Sequence, residues 1–226
     1  MAANRDGAAE PSLLEESTRE ALAAAALGLF ASEGIGSVSL RRITSAAGAS
    51  NQSAVHYHFE NKLGLVRAVL DKVNAHLAPL QQEAREELAA IGATRTPTPY
   101  EIVGIGLSPY VHLFTQSPEG RLCIQFLSRL TWESGREAQE LMLQKVRPYF
   151  LELLPLLQAA LPQKSLEVLD FQLYMAASNI IHGLADLDLL RRQPGSNVDL
   201  LLEQRPQDAL HFFYQYITGG LSSLPD

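Results

Sequence analysis

Asn51, Gln52, Ser53 and His56 fall within six residues of chain, and each side chain ends in a group that donates or accepts hydrogen bonds. Spaced along one short helix, such groups can read base edges. Asparagine and glutamine pair bidentately with adenine, and serine can meet either kind of base pair. Around them stand Arg41, Arg42, Tyr57, His58 and Lys62, placed to touch phosphates on either side of a groove, with Ser50 at the near end of the same candidate set. Lys62 also stands where a following helix would begin, and a helix start presents unpaired backbone donors to an anion.

Other chemistries find less support in the residue types. The six histidines, His56, His58, His76, His112, His182 and His211, include no pair four apart with a glutamate between them, the helical arrangement of a zinc hydrolase. His56 and His58 lie two apart and point to different sides of a helix. No glycine-rich phosphate loop and no nucleophile elbow appears. Cys123 is the chain's one cysteine, without neighbours at metal-ligand spacing and without an intrachain disulfide partner, which suits a reducing cytoplasm. No cofactor is expected. Two rival readings stay on the table: a helical interaction module that does not bind DNA, and an enzyme whose catalytic residues are dispersed.

A reading helix needs elements that hold it proud of the surface. Apolar residues recur at spacings of three and four nearly throughout, and no sustained alternation marks a strand, so the chain is expected to be all-α. A first helix is expected from a capping box at Ser17 and Glu20, running through Leu22, Ala26, Leu29 and Phe30 to stop near Gly34. Ser39 can cap a short second helix with Leu40, Ile43 and Ala47 on one face, ended by Gly48. A third segment over residues 51–57 follows after only Ala49 and Ser50, so the two short helices must cross steeply, with Ala54, Val55 and Phe59 turned inward. A long helix then opens at Lys62 and carries Leu63, Val66, Leu70, Val73, Leu77 and Leu80 as one stripe. Pro79 is expected to kink it. Further helical patterns lie at about 100–116, 119–133, 136–161, 163–192 and 206–218, and Pro109, Pro148 and Pro155 inside them mark kinks or breaks.

Charge is distributed to match. The 226-residue chain carries a formal net charge of -7, yet residues 17–74 hold six basic against four acidic side chains. The acidity lies outside the segment that would meet DNA. Residues 1–16 hold one basic and four acidic groups without an apolar core, so they read as a disordered tail rather than a secretion signal. No apolar run approaches the ~20 residues of a membrane span. The expected organisation is a tail at 1–16, a three-helix helix-turn-helix domain at 17–62, and a helical-bundle domain at 63–226.

The stretch Ala46-Ala47-Gly48-Ala49-Ser50, then Tyr57-His58-Phe59 and Lys62-Leu63-Gly64-Leu65, resembles the signature of the tetracycline-repressor-like (TetR) family, with Ser32-Glu33-Gly34 closing the preceding helix. The resemblance covers about residues 17–70. It departs by one extra residue between Gly48 and Phe59, by His56 where tyrosine is usual and by Ala49 in place of valine, which leaves the register of base contacts open. What it implies is a homodimeric repressor on a palindromic double-stranded DNA operator, released by a small molecule; the candidate lining among the middle helices suits a hydrophobic or aromatic effector, and the single cysteine a cytoplasmic protein. The four-helix interface that the family builds from two C-terminal helices of each subunit would fall here on residues 166–190, where apolar residues form two sets, and on a last helix with Leu210, Phe213 and Ile217 beside Phe212 and Tyr216. An effector pocket would lie among the middle helices, with Phe114, Phe126, Trp132, Tyr174 and His182 as candidate ligand contacts. Aromatic residues at helical spacing are also ordinary core content.

Overall fold

The computed structural model describes residues 13–49, 53–132, 135–195 and 197–223, and among these residues every regular element is a helix. The first helix, α1, spans Leu13–Glu33. Ser17 and Glu20 therefore lie inside it rather than at its start, and residues 13–16 are helical instead of belonging to a disordered tail. Glu15 and Glu16 occupy the first turn, where carboxylates favour the positive end of the helix dipole.

The second helix, α2 (Leu40–Ala46), begins at Ser39, whose hydroxyl accepts from the Arg42 N–H at 3.3 Å. It ends at Gly48, which takes φ +68°, a left-handed conformation that costs a side chain-bearing residue energy. The third, α3 (Ser53–Phe59), is followed by Glu60 in the same left-handed region, φ 65°. That single turn lets the long α4 (Lys62–Gly92) start at once, with the Asn61 carboxamide accepting from the Gly64 N–H at 2.9 Å. Gly64 is required there: a Cβ would stand 1.9 Å from the Phe59 carbonyl oxygen. Helix α4 runs on through Pro79, so the expected interruption is absorbed within a continuous element.

The remaining helices are α5 (Pro99–Gln116), α6 (Pro118–Trp132), α7 (Arg136–Leu151), α8 (Leu154–Ala160), α9 (Leu166–Ala185), α10 (Leu187–Arg192), α11 (Val198–Gln204) and α12 (Pro206–Leu221). Thr98 and Glu101 form a capping box at the start of α5. Pro109 and Pro148 sit inside α5 and α7, whereas Pro155 occupies the first turn of α8 and separates it from α7. The pattern at 163–192 is likewise two helices, α9 and α10, and α11 lies in a stretch where no helix was expected.

One apolar core runs from Leu22 in α1 to Leu221 in α12. Leu22, Ala26, Phe30, Val38, Ile43, Val55 and Phe59 hold the first three helices together. The same core joins them to the bundle, because the Phe30 ring of α1 stacks on Phe126 of α6 with centroids 6.2 Å apart. The N-terminal unit is thus fastened to the rest by α1 on α6 as well as by α4. Ion pairs bind α4 to its neighbours: Lys72 to Glu119 of α6 at 2.8 Å, Asp71 to Lys145 of α7 at 2.8 Å, and Arg85 to Glu152, just past α7, at 2.6 Å.

Candidate nucleic-acid interface and ligand slot

Helix α3 is two-sided. Val55 and Phe59 are buried, while Ser53, His56 and Tyr57 are exposed on the other side, Tyr57 at 71%. Val55 and Phe59 thus face inward as the spacing suggests, Ala54 is half-buried, and of the four expected base-reading residues the described ones, Ser53 and His56, face solvent. Ser50, Asn51 and Gln52 lie outside the described residues.

Each described candidate has its own surroundings. The His56 Nδ1 lies 2.8 Å from the Glu60 carbonyl oxygen. A carbonyl can only accept, so Nδ1 carries the proton and Nε2 is left for other partners. The Tyr57 hydroxyl donates to a Glu15 carboxylate oxygen at 2.9 Å, and that bond raises its pKa. His58 is half-buried beside the Tyr57 and Phe59 rings. On α2, Arg41 and Arg42 are exposed, and the Arg42 guanidinium pairs with Glu33 at the end of α1.

Lys62 departs from its expected setting. Its ammonium turns back over the Phe30 ring, 5.9 Å from the centroid, and donates to the Gly36 carbonyl at 3.4 Å. Partial burial holds its pKa below the ordinary lysine value. To reach a phosphate it has to leave Gly36.

The second site is a slot of about 240 Å³ between α7 and α9, closed at one end by the last turn of α6. Met142, Val146, Phe150, Leu173, Ala177 and Ile181 make its apolar walls. Thr131, Gln139, Ser178 and His182 line it toward α6, and Arg147 and Asp170 line it at the far side, paired at 2.7 Å. His182 is held by α6: Ser128 Oγ lies 2.8 Å from Nδ1 and Thr131 Oγ1 lies 2.9 Å from Nε2. Because the Thr131 hydroxyl donates to the Ser128 carbonyl at 2.7 Å, the Nε2 proton belongs to the histidine and Nδ1 accepts from Ser128. Burial lowers the His182 pKa, with Asp186 pulling weakly the other way, so the ring is neutral at pH 7.

Of the expected ligand contacts, Tyr174 and His182 line this slot. Phe126 does not: it is fully buried and stacks on Phe30. Phe114 is also buried away from the slot, with the Arg121 guanidinium 5.4 Å over its ring. Trp132 ends α6 next to Thr131, and its side chain lies outside the described residues. The polar lining residues Gln139, Arg147, Asp170 and Ser178 carry no signal in sequence, since only the antiparallel meeting of α7 and α9 brings them together. Burial holds the Cys123 thiol well above its usual range, at about 12, and no cluster of three or more potential metal ligands occurs among the described residues.

Helix α9 also has a third side. Leu169, Leu173, Ala176 and Ile180 are buried, whereas Phe171 is 65% and Met175 43% exposed. On α12, Ile217 is buried while Phe212 and Tyr216 are exposed. No helix among the described residues is long and apolar enough to cross a membrane.

A three-helix reading head whose second short helix turns polar groups outward, joined to a bundle with an apolar slot, defines a ligand-responsive helix-turn-helix regulator. The family described as bacterial regulatory proteins, tetR family, matches residues 22–69, and the one described as tetracyclin repressor-like, C-terminal domain, matches residues 107–220. The chain belongs to the TetR family: it is a transcriptional regulator with an N-terminal DNA-binding domain and a C-terminal ligand-binding domain. Such regulators are generally non-enzymatic transcription factors.

Solved structures agree on the fold. HlyIIR, a hemolysin II transcriptional regulator, superposes with a TM-score of 0.58 at 17% identity over 90% of this chain and 98% of its own. A bacterial regulatory protein of the tetR family from Rhodococcus RHA1 gives 0.57 at 15% identity, covering 92% and 98%. NalD of Pseudomonas aeruginosa, the secondary repressor of the MexAB-OprM multidrug efflux pump, gives 0.53 at 21% identity, covering 87% and 97%. Among curated proteins no relative matches the chain.

Proposed function

We propose that this protein is a cytoplasmic repressor that sits as a homodimer on a palindromic operator and leaves it when a small hydrophobic or aromatic ligand enters the slot between α7 and α9. The observation that carries the reading is the division of α3, with Val55 and Phe59 holding it rigidly from below and Ser53, His56 and Tyr57 turned to solvent. Arg41 and Arg42 flank it for phosphates, and the candidates Ser50, Asn51 and Gln52 complete the reading segment. The domain division proposed is a reading head at 17–62 and a regulatory and dimerisation domain at 63–226, with α1 extending the head to Leu13.

Release follows from how the slot is built. Its end is α6, and α6 carries both Ser128, bonded to His182, and Phe126, stacked on Phe30 of the reading head. Its wall is α7, and residues along and just beyond α7 hold α4 through Lys145 and Glu152. A ligand that spreads α7 from α9 pulls on both attachments of the head. Two heads on one operator must keep half-site spacing of about 34–36 Å or a multiple of it, so a small rotation of each is enough to break register.

The test is binding of the purified protein to its own upstream region. Protection of an inverted repeat is expected, with affinity falling steeply as salt rises through counterion release. Replacing His56 with alanine should relax preference at one base position without changing the salt slope. Flat salt dependence together with no protected repeat would favour an interaction module without DNA binding.

A further inference from the structure

Among the described residues that line the slot, Arg147 and Asp170 are the only formal charges, and they neutralise each other at 2.7 Å. The other polar groups there, Thr131, Gln139, Tyr174, Ser178 and a His182 whose ring is neutral at pH 7, offer hydrogen bonds without charge. The walls are apolar. From Gln139 to Leu151 the slot follows twelve residue steps of α7, about 18 Å at a rise of ~1.5 Å per residue.

We propose that the Arg147–Asp170 pair acts as a charge filter that makes the slot selective for uncharged amphipathic ligands, rejecting acids and amines of the same shape. This rests on the reading of the slot as the effector site. Breaking the pair is not what excludes an ion. Both side chains are more than a third exposed, and exposed pairs are worth little in water. The exclusion comes from what remains afterwards. A carboxylate drawn to Arg147 leaves Asp170 beside it as a like charge, and an ammonium drawn to Asp170 meets Arg147 in the same way. Either ion also gives up water to enter apolar walls without a net counter-charge. An alcohol, amide or ester meets neither penalty, and its polar end finds Gln139, Ser178 or Thr131.

The filter predicts which substitution admits which ligand. Asp170→Asn leaves Arg147 unopposed and turns the rim into an acid site, whereas Arg147→Gln leaves Asp170 and favours amines. Both residues are on the surface, so neither variant threatens folding.

Two probe sets of matched shape test this at pH 7: 1-decanol, decanoate and decylammonium, and benzyl alcohol, benzoate and benzylammonium. Binding is read by the emission of Trp132, the single tryptophan, and by the shift in melting temperature. In the natural protein an alcohol is expected to bind at least about tenfold tighter than its acid or amine. In Asp170→Asn the affinity of the acid relative to the alcohol is expected to rise at least about tenfold, and in Arg147→Gln that of the amine relative to the alcohol does the same. An acid or amine that binds the natural protein as tightly as the alcohol overturns the filter and leaves the ligand site standing. So does an unchanged ranking in both variants. If none of the six probes binds, the filter and the effector reading of the slot fall together.

Discussion

At the scale of single residues, two glycines and one carboxylate set distinct demands. Gly48 needs only its positive φ, since nothing lies near a would-be Cβ, so Gly48→Ala should cost about 1–2 kcal/mol. Gly64 needs the space itself. A methyl there meets a backbone oxygen at 1.9 Å, and backbone on a packed turn cannot move aside cheaply. Gly64→Ala should therefore exceed the Gly48 change, costing about 3 kcal/mol or more, as measured by urea unfolding; equal losses would show that the α3–α4 turn yields. Glu101 accepts from the Thr98 backbone N–H and hydroxyl and from Arg95, and Arg95 is the largest cause of a carboxyl pKa held down at about 2. Its folded value lies below its unfolded one, so the unfolded chain binds the proton more readily. The stabilisation is present above about pH 4.5 and is lost as pH falls toward about 2. Comparing denaturant midpoints at pH 6 and pH 3 should show a smaller acid loss for Glu101→Gln than for the natural protein. The Glu101 side chain is partly exposed and its Arg95 partner more than half so, which keeps the effect modest and salt-sensitive.

At the scale of elements, α6 is the helix that links the reading head to the slot in the proposed release. Within a few residues it holds Phe126 against the reading head and Ser128 and Thr131 against His182 in the slot. Ser128→Ala combined with Phe126→Leu should leave ligand binding in place and shrink the ligand-induced loss of operator affinity by between about two- and thirtyfold, the range expected for residues that modulate coupling. Measuring operator affinity with and without 1-decanol decides it; a full response in the double variant would assign transmission to α4 alone. The elements differ in how far the chain announces them. Ser39 before α2 and the heptad-like stripe of α4 are local signals, and both helices lie where those signals put them. Ser17 and Glu20 fit a cap equally well in sequence, but Leu13 to Glu16 are good helix formers and the helix takes them in. Helix α11 is only seven residues long, too few for periodicity to stand out between Gly195 and Pro206. Phe126 and Tyr174 were alike as aromatic residues at helical spacing. Which of them faces a cavity is decided by the approach of helices distant in the chain, and no local pattern records that. Of the expected ligand contacts Tyr174 and His182 line the slot while Phe114 and Phe126 do not, and its charged rim left no trace in sequence, because Arg147 and Asp170 become neighbours only when α7 and α9 pack.

At the scale of the whole molecule, the proposed homodimer has two reading heads to hold at one separation, and α9 and α12 expose surface suited to it. Val168, Phe171 and Met175 recur at spacings of three and four on α9, and Phe212 and Tyr216 at a spacing of four on α12, all turned to solvent in the single chain. Large apolar side chains exposed in such rows are unusual on a protomer that functions alone. A second copy related by a two-fold axis would cover them with the same residues, because in that symmetry each patch meets its own equivalent. The stripe also borders the slot: Tyr174 and Ser178, which line it, follow Phe171 and Met175 by three residues on the same helix. Pairing of protomers and occupancy of the slot thus bear on one element. Phe171→Asp with Tyr216→Asp should yield monomers in sedimentation that keep the helical content of the natural protein, since both positions are exposed and carry no core contact that the fold depends on. Each monomer retains its complete reading head, so half-site contacts survive. What disappears is the high effective concentration of the second head once the first is bound, and operator affinity should drop by about 10²- to 10⁴-fold. Binding to a duplex holding only one half-site should hardly change, which separates lost pairing from a damaged reader. A monomeric variant that grips the full operator as tightly as the natural protein would mean that the two heads are coupled through DNA rather than through α9 and α12.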